Sequence, residues 1–410
     1  MVEQIQTDYQ HPRHIWRVVT IWAATLGLTL VIAAFVPRIL DAQRHQFQRH
    51  RIPDSTSVLL LRLASWDGVW YEQIVRLGYK SGDTHCPTIA FFPLFPLLAR
   101  LVTLLLPLTA VESLVALSNI CLLAASVLVS KHAAFMTPAR LAPRIDPALV
   151  LFLSPLGVFF RSAYSESLFL LEQALFLLAL SRRWHPAIVA AIAGAASATR
   201  APGCALSLVA LVYLWRTRNT QRLSMMVIAP LLAVSGIGLF VLYQWFSFGT
   251  PLAFVTAQSC WVSRPHIGAC QHCIRLLTLE PLWSVFTPSS EAYWHRREII
   301  HTASYSMQFW NPLSFVLACG LVGYGKLQGV LTADQMLLSV ALLLIPYCVQ
   351  GPVCSFYSFG RYAASVLPIY YVVAHIIGRC NVSIQLVALV VAASLYMLIT
   401  LGFMTWYRIF

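Results

Sequence analysis

An all-α bundle of membrane-crossing helices is the fold class this sequence predicts, and three observations predict it. Hydrophobic residues make up 59% of the chain, and the mean hydropathy is +0.71. Only 10% of residues are charged, against about 25% in soluble domains. The apolar residues gather into long runs, and the basic residues collect in the links between them. The net charge of +13 therefore belongs to links that orient helices and meet anionic lipid, and is not a footprint for nucleic acid. Arg182, Arg183, Arg216, Arg218 and Arg222 mark two such links, expected on the cytoplasmic side.

The runs follow in order. The polar tail MVEQIQTDYQHPRH leads into 19–36, too long and poorly flanked for a cleaved signal peptide, so it reads as an uncleaved anchor. A polar segment, 37–90, comes next. Runs 91–107, 112–130 and 148–160 follow, the last interrupted by Pro155 and Gly157. Then come 165–180, 186–199, 203–215 and 226–246. A second polar segment, 247–310, is rich in Trp, His and Pro, and 311–324, 335–349, 362–377 and 384–405 close the series. A spanning helix needs about 20 apolar residues. Several runs are shorter, so some helices are expected to be broken, re-entrant or shielded by neighbours. The pattern predicts about ten to twelve segments in a single domain, 1–410. The two polar segments are expected on one face of the membrane, together roofing a cavity.

Ionisable residues at membrane depth are costly, so each is a functional candidate. Asp67 is a lone acid between Trp66 and Trp70. At helical spacing Leu63, Trp66, Trp70, Ile74 and Leu77 share one face, with Asp67 and Tyr71 beside it. Such a helix lies flat at a membrane surface with its Trp rings at headgroup depth. Asp67 then either meets the polar head of a lipid substrate or is simply solvated. Glu166, in SPLGVFFRSAYSESLF, has Arg161, Tyr164 and Ser165 nearby. It either lines a cavity at the broken helix or pairs with Arg161. Arg200 in ATRAPG and Arg361 in FGRYAASVLP flank apolar runs. They either grip a phosphate bidentately or snorkel to headgroups.

Cys260, Cys270 and Cys273 share one segment with His266 and His272. The CQHC spacing leaves zinc, a disulfide and free thiols open. Asn381-Val-Ser is a glycosylation triplet close to a span. No Gly-Lys-Ser phosphate loop, dinucleotide fingerprint or Asp-x-Asp pair occurs, which argues against a nucleotide or a metal-clamped diphosphate. Two homologous halves, expected of many transporters, are absent as well.

SWDGVWYEQIVRLGY followed by AFFPLFPLL resembles the first extracytoplasmic loop of the PIG-V family, GPI mannosyltransferase 2 and its bacterial relatives. SPLGVFFRSAYSESLF resembles that family's SP…F…YSE segment, ATRAPG its Gly/Ala-x-Arg segment, and FGTPLAFVTAQSCW a loop of the bacterial relatives. These matches span about residues 63–365, in order. The resemblance implies the polytopic glycosyltransferase fold of the C type (GT-C). It implies transfer of a mannosyl or other hexosyl residue from a dolichyl- or polyprenyl-phosphate donor to a lipid-linked or glycan acceptor. The family's acid after the first span carries over to Asp67, expected as general base. Its YSE glutamate carries over to Glu166, expected with Tyr164 and Ser165 to position sugar or acceptor. Its loop arginines carry over to Arg200 and Arg361, expected on the phosphate. Trp66, Trp70 and Tyr71 are expected on the lipid-proximal wall.

One base suffices for an inverting displacement, whereas retention needs a second carboxylate about 5 Å away. Arginine charge can take the place of a metal, so no metal and no cofactor beyond the donor are expected. The expected partners are membrane lipids, the lipid-linked donor and the acceptor. The expected location is the bacterial cytoplasmic membrane, or the endoplasmic reticulum membrane in a eukaryote, with an extracytoplasmic or lumenal active site. The late loops are shorter than in the eukaryotic enzymes, which points to an acceptor other than GPI. The rival reading is a flippase or transporter of polyprenol-linked sugar, which needs the cavity and the arginines but no base.

Overall fold

Each apolar run becomes one helix or a broken pair of helices. The structure is a computed structural model that describes residues 12–35, 57–80, 88–136, 145–220, 222–261, 268–296, 306–354 and 358–405. Most of the polar tail, and His266, lie outside the described residues. The first run forms α1 (Pro12–Phe35). Two short helices follow, α2 (Val58–Leu63) and α3 (Asp67–Leu77), then α4 (Leu94–Leu105) and α5 (Ala110–Met136). The run interrupted at Pro155 and Gly157 becomes α6 (Pro147–Phe152) and α7 (Val158–Arg161). An up-and-down series comes next: α8 (Glu166–Ser181), α9 (Pro186–Thr199), α10 (Cys204–Thr217) and α11 (Leu223–Phe248). The second polar segment holds α12 (Ala253–Ala257), α13 (Ala269–Leu277) and α14 (Glu280–Trp283). The chain closes with α15 (Met307–Leu327), α16 (Ala333–Cys354), the short α17 (Phe359–Ala364), α18 (Pro368–Arg379) and α19 (Val382–Met404). No strand occurs among the described residues. The protein is an all-α polytopic membrane protein.

Among the described residues four helices are long and apolar enough to cross a membrane: Ile15–Phe35, Ala110–Lys131, Leu223–Phe248 and Val382–Met404. Most of the remaining runs form shorter helices. α8 shows why: it is buried along nearly its whole length, shielded by its neighbours inside the bundle. Asn381 caps α19, its Oδ1 accepting the Ile384 N–H at 2.9 Å.

Small residues let α9 and α11 approach closely. A Cβ on Gly236 would stand 2.0 Å from the Gly194 carbonyl oxygen, and one on Gly194 would stand 2.3 Å from the Leu232 oxygen. Gly236→Ala is therefore expected to lower stability by about 1–3 kcal/mol through overpacking. Gly320→Ala, with nothing within 4 Å of its added methyl, serves as the control and should be neutral or slightly stabilising. Thermal unfolding in detergent compares the two.

One large apolar core draws on residues from Val18 to Met404. A second, aromatic cluster of Ile89, Phe92, Phe240 and Ala253 joins the two polar segments. Phe92 and Phe254 meet edge to face at 5.5 Å, and Gln258 Nε2 donates to the Ala90 carbonyl at 3.3 Å. The two segments thus pack on one another.

Candidate active site

Two breaks in the helices build the site, and they are hydrogen-bonded to each other. The first lies between α2 and α3. Trp66 there has φ 59, ψ −120, a conformation that costs a bulky L-residue energy and persists only where its surroundings hold it. The second is the Ser162–Ser165 link between α7 and α8. The Ala163 N–H donates to the Leu63 carbonyl at 2.9 Å. Tyr164 Oη accepts the Asp67 N–H at 3.0 Å and donates to the Ser65 carbonyl at 3.2 Å. Tyr71 Oη and Ser165 Oγ are 3.0 Å apart. Trp66 Nε1 donates to the Phe403 carbonyl at 3.2 Å. Asp67 and Glu166 consequently begin α3 and α8 side by side, each in a first turn where the helix dipole favours a carboxylate.

The arginines arrive by hairpin and by break. α8 runs 16 residues away from Glu166 and α9 returns over 14. At about 1.5 Å per residue the two lengths nearly cancel, so Arg200, at the end of α9, comes back beside Glu166. Arg361 lies in α17, whose preceding Ser358 is left-handed at φ 64. Asn311 Oδ1 fixes that turn by accepting the Gly360 N–H at 2.8 Å. Gln173 fixes the far side: its Nε2 donates to the Ser365 carbonyl at 2.7 Å and its Oε1 accepts the Leu367 N–H at 3.1 Å.

The four charges form one network. Arg361 Nη1 donates to Asp67 Oδ2 at 2.7 Å and Nε to Glu166 Oε1 at 2.8 Å. Arg200 Nη1 stands 2.7 Å from the same Glu166 oxygen as an ion pair. The Arg361 guanidinium lies over the rings of Phe159 and Tyr164 at 5.0 and 4.9 Å. Arg200 faces Tyr362 and Phe169 at 5.6 and 6.0 Å. Exposure grades the group: the side chains of Glu166, Arg200, Arg361 and Asp67 are 0%, 7%, 14% and 28% exposed. Asp67 and Arg361 form the accessible edge, and Glu166 is the buried anchor.

Several expectations change. Leu63 to Leu77 is not one helix, because it breaks at residues 64–66, and α3 does not lie free at a surface: Tyr71, Glu72, Gln73, Ile74 and Val75 are buried. Trp66 is only partly buried and leans on the last helix through its bond to Phe403. Trp70 stacks on Phe91 with ring centroids 6.3 Å apart. Asp67 is ion-paired, not merely solvated. Arg161 does not pair with Glu166; it bonds Asn119 Oδ1 at 3.3 Å and the Thr25 hydroxyl. The extended backbone at Ser162 (φ −80, ψ 173) sends it to the other side of the link. Tyr164, Ser165 and Tyr71 are buried, and their hydroxyls are committed to the protein. Arg200 and Arg361 are held by carboxylates rather than extended to headgroups.

Sequence reasoning passed over Phe159, Gln173, Asn311 and Glu172. Glu172 is buried on α8 and accepts the Thr199 hydroxyl at 2.7 Å, one residue before Arg200. For Gln173, Asn311 and Glu172 the available signal was an amide or a carboxyl inside an apolar run, which is costly without partners, whereas Phe159 carried none.

Cys260 is disulfide-bonded, whereas Cys270 and Cys273 are exposed free thiols. His272 Nε2 is 2.6 Å from the Cys348 carbonyl. Among the described residues no group of three or more His, Cys, Asp or Glu stands together to hold a metal ion, so the zinc alternative has no ligand set there.

No curated protein and no solved structure matches the chain. The family model for Mannosyltransferase (PIG-V) matches residues 16–305, a stretch that holds Asp67, Glu166 and Arg200 and stops short of Arg361. With that match over most of its length, the chain belongs to the PIG-V mannosyltransferase family.

Proposed function

We propose that this membrane mannosyltransferase takes its sugar from a polyprenyl- or dolichyl-phosphate carrier. It passes the sugar to a lipid-linked or glycan hydroxyl, with inversion, without a metal ion, and on the extracytoplasmic side. The observation that carries the reading is Arg361, which holds an accessible carboxylate and a buried one at once. A general base must touch the acceptor hydroxyl, and Asp67 is the carboxylate with exposed surface. Retention would need a second carboxylate at the sugar. Glu166 is enclosed and engaged by two guanidinium groups, which favours inversion and a positioning role.

Arg361 Nη2 makes no hydrogen bond among the described residues. That edge suits an oxygen of the donor phosphate, held by a charge-assisted bond. The phosphate and Asp67 then share one guanidinium, so donor binding releases the carboxylate to take the acceptor proton. The sugar's anomeric carbon loses its bond to the phosphate oxygen, the acceptor oxygen takes its place, and the lipid phosphate leaves stabilised by Arg361. Arg200 acts one step removed, by holding Glu166. The compact late loops favour a glycan or lipid-linked acceptor other than a GPI precursor.

Arg361→Ala is expected to raise the donor concentration needed for half-maximal rate by roughly ten- to hundred-fold, the value of one or two charged hydrogen bonds. Arg361→Lys should recover only part, because it lacks the planar two-point contact. Initial rates with donor and acceptor varied separately check this. If only acceptor dependence moves, the phosphate does not sit at Arg361.

A further inference from the structure

We propose that Cys270 and Cys273 form a redox site: a dithiol that closes reversibly to a disulfide and, on closing, withdraws His272 from α16. This proposal stands apart from the transfer chemistry above. Both thiols are free and exposed, one turn apart in the first half of α13. No residue of α13 is buried, so a small oxidant reaches either sulfur. Cys260, on the same polar segment, is already disulfide-bonded. The segment therefore carries one cysteine already held in a bridge and one open pair.

Geometry explains why the pair stays open. Helical residues three apart have Cβ atoms about 5–6 Å apart, while a disulfide needs about 3.5–4.5 Å. Closure must tighten or loosen the first turn of α13, and a bridge formed under such strain is more easily reduced than a relaxed one. His272 lies between the two cysteines, and its Nε2 is 2.6 Å from the Cys348 carbonyl on α16. Tyr347, next to Cys348, donates its hydroxyl to the Leu276 carbonyl at 2.9 Å. These two bonds dock α13 on α16, and the first is the one a distorted turn breaks.

The chemistry is thiol–disulfide exchange with a low-molecular-weight disulfide. One cysteine thiolate attacks the small disulfide; its S–S bond breaks, a mixed disulfide forms and one small thiol leaves. The second cysteine attacks the mixed disulfide, the Cys270–Cys273 bond forms and the second small thiol leaves. Two electrons and two protons pass from the pair to the small disulfide.

The test uses the full-length protein in detergent, equilibrated with oxidised and reduced glutathione at a series of ratios. Thiols are then trapped with iodoacetamide, peptides are analysed by mass spectrometry, and amide hydrogen exchange is followed in parallel. The expected result is a 270–273 peptide that takes up no iodoacetamide in oxidising buffer and two equivalents after dithiothreitol. Exchange of the amides of α13 should rise severalfold in the oxidised form. Cys273→Ser should instead give a lasting glutathione adduct on Cys270. Two alkylatable thiols at every ratio, or glutathione adducts without a bridge in the wild type, would overturn the redox site. A bridge with unchanged exchange in α13 would overturn the undocking of His272.

Discussion

Asp67→Asn is expected to cut turnover by at least about 100-fold, the low end of what a general base contributes, while the protein remains folded. Asparagine keeps the shape at the start of α3 and leaves the backbone N–H on Tyr164 Oη undisturbed. It loses the charge that meets Arg361 at 2.7 Å. That pair is partly exposed, so its loss should change stability by no more than about 1 kcal/mol. The two effects therefore separate: a large fall in rate with the melting temperature nearly unchanged. Asp67→Glu lengthens the side chain by one methylene and should recover a fraction of the rate. Turnover of the Asn variant within a few-fold of wild type would remove Asp67 from the proton transfer.

Glu166→Ala should act in the opposite way, on the fold first. Its carboxylate is fully buried and faces both Arg200 and Arg361. Removing one partner of a buried pair typically costs about 3–5 kcal/mol, because the other charge stays behind unpaired. Arg361 keeps Asp67, but Arg200 keeps no carboxylate within ion-pair distance among the described residues. The variant should extract poorly from membranes and unfold well below the wild type. Adding Arg200→Met removes the stranded charge and should restore part of the stability. Fluorescence-detected size exclusion after a heating series measures both variants. A Glu166→Ala protein as stable as wild type would mean that the network is not what holds α8, α9 and α17 together.

Much of the fold was legible because lipid allows a chain few choices. Backbone polar groups at membrane depth must be paired within helices, so a break survives only where protein shields it. Pro155 with Gly157 announced one of those breaks, and the structure has it where α6 meets α7. Three charges of the site, Glu166, Arg200 and Arg361, were legible because an ionisable residue within or beside an apolar run stands out in so apolar a chain, and Asp67 because it is the lone acid between Trp66 and Trp70. Their pairing was not. Arg161 lies five residues from Glu166, yet the extended link between them turns the two apart, and Glu166 finds Arg361 instead. The break at Trp66 was hidden too. Nothing local to Ala64–Trp66 demands it; bonds from the distant Ala163 and Tyr164 hold it. Gln173 and Asn311 escaped because each satisfies backbone groups of a segment far along the chain.

As a transferase acting on the proposed donor, the protein must break the bond between sugar and lipid phosphate at this site. Purified protein in lipid nanodiscs, given polyprenyl-phosphate mannose, an acceptor glycan and excess EDTA, tests it most directly. Free polyprenyl phosphate is expected in a one-to-one ratio with a new glycosidic bond of anomeric configuration opposite to the donor's, with release cut at least about 100-fold by Asp67→Asn. Intact donor throughout, with the wild-type protein in proteoliposomes moving it to the opposite leaflet, would contradict the claim and identify a flippase instead.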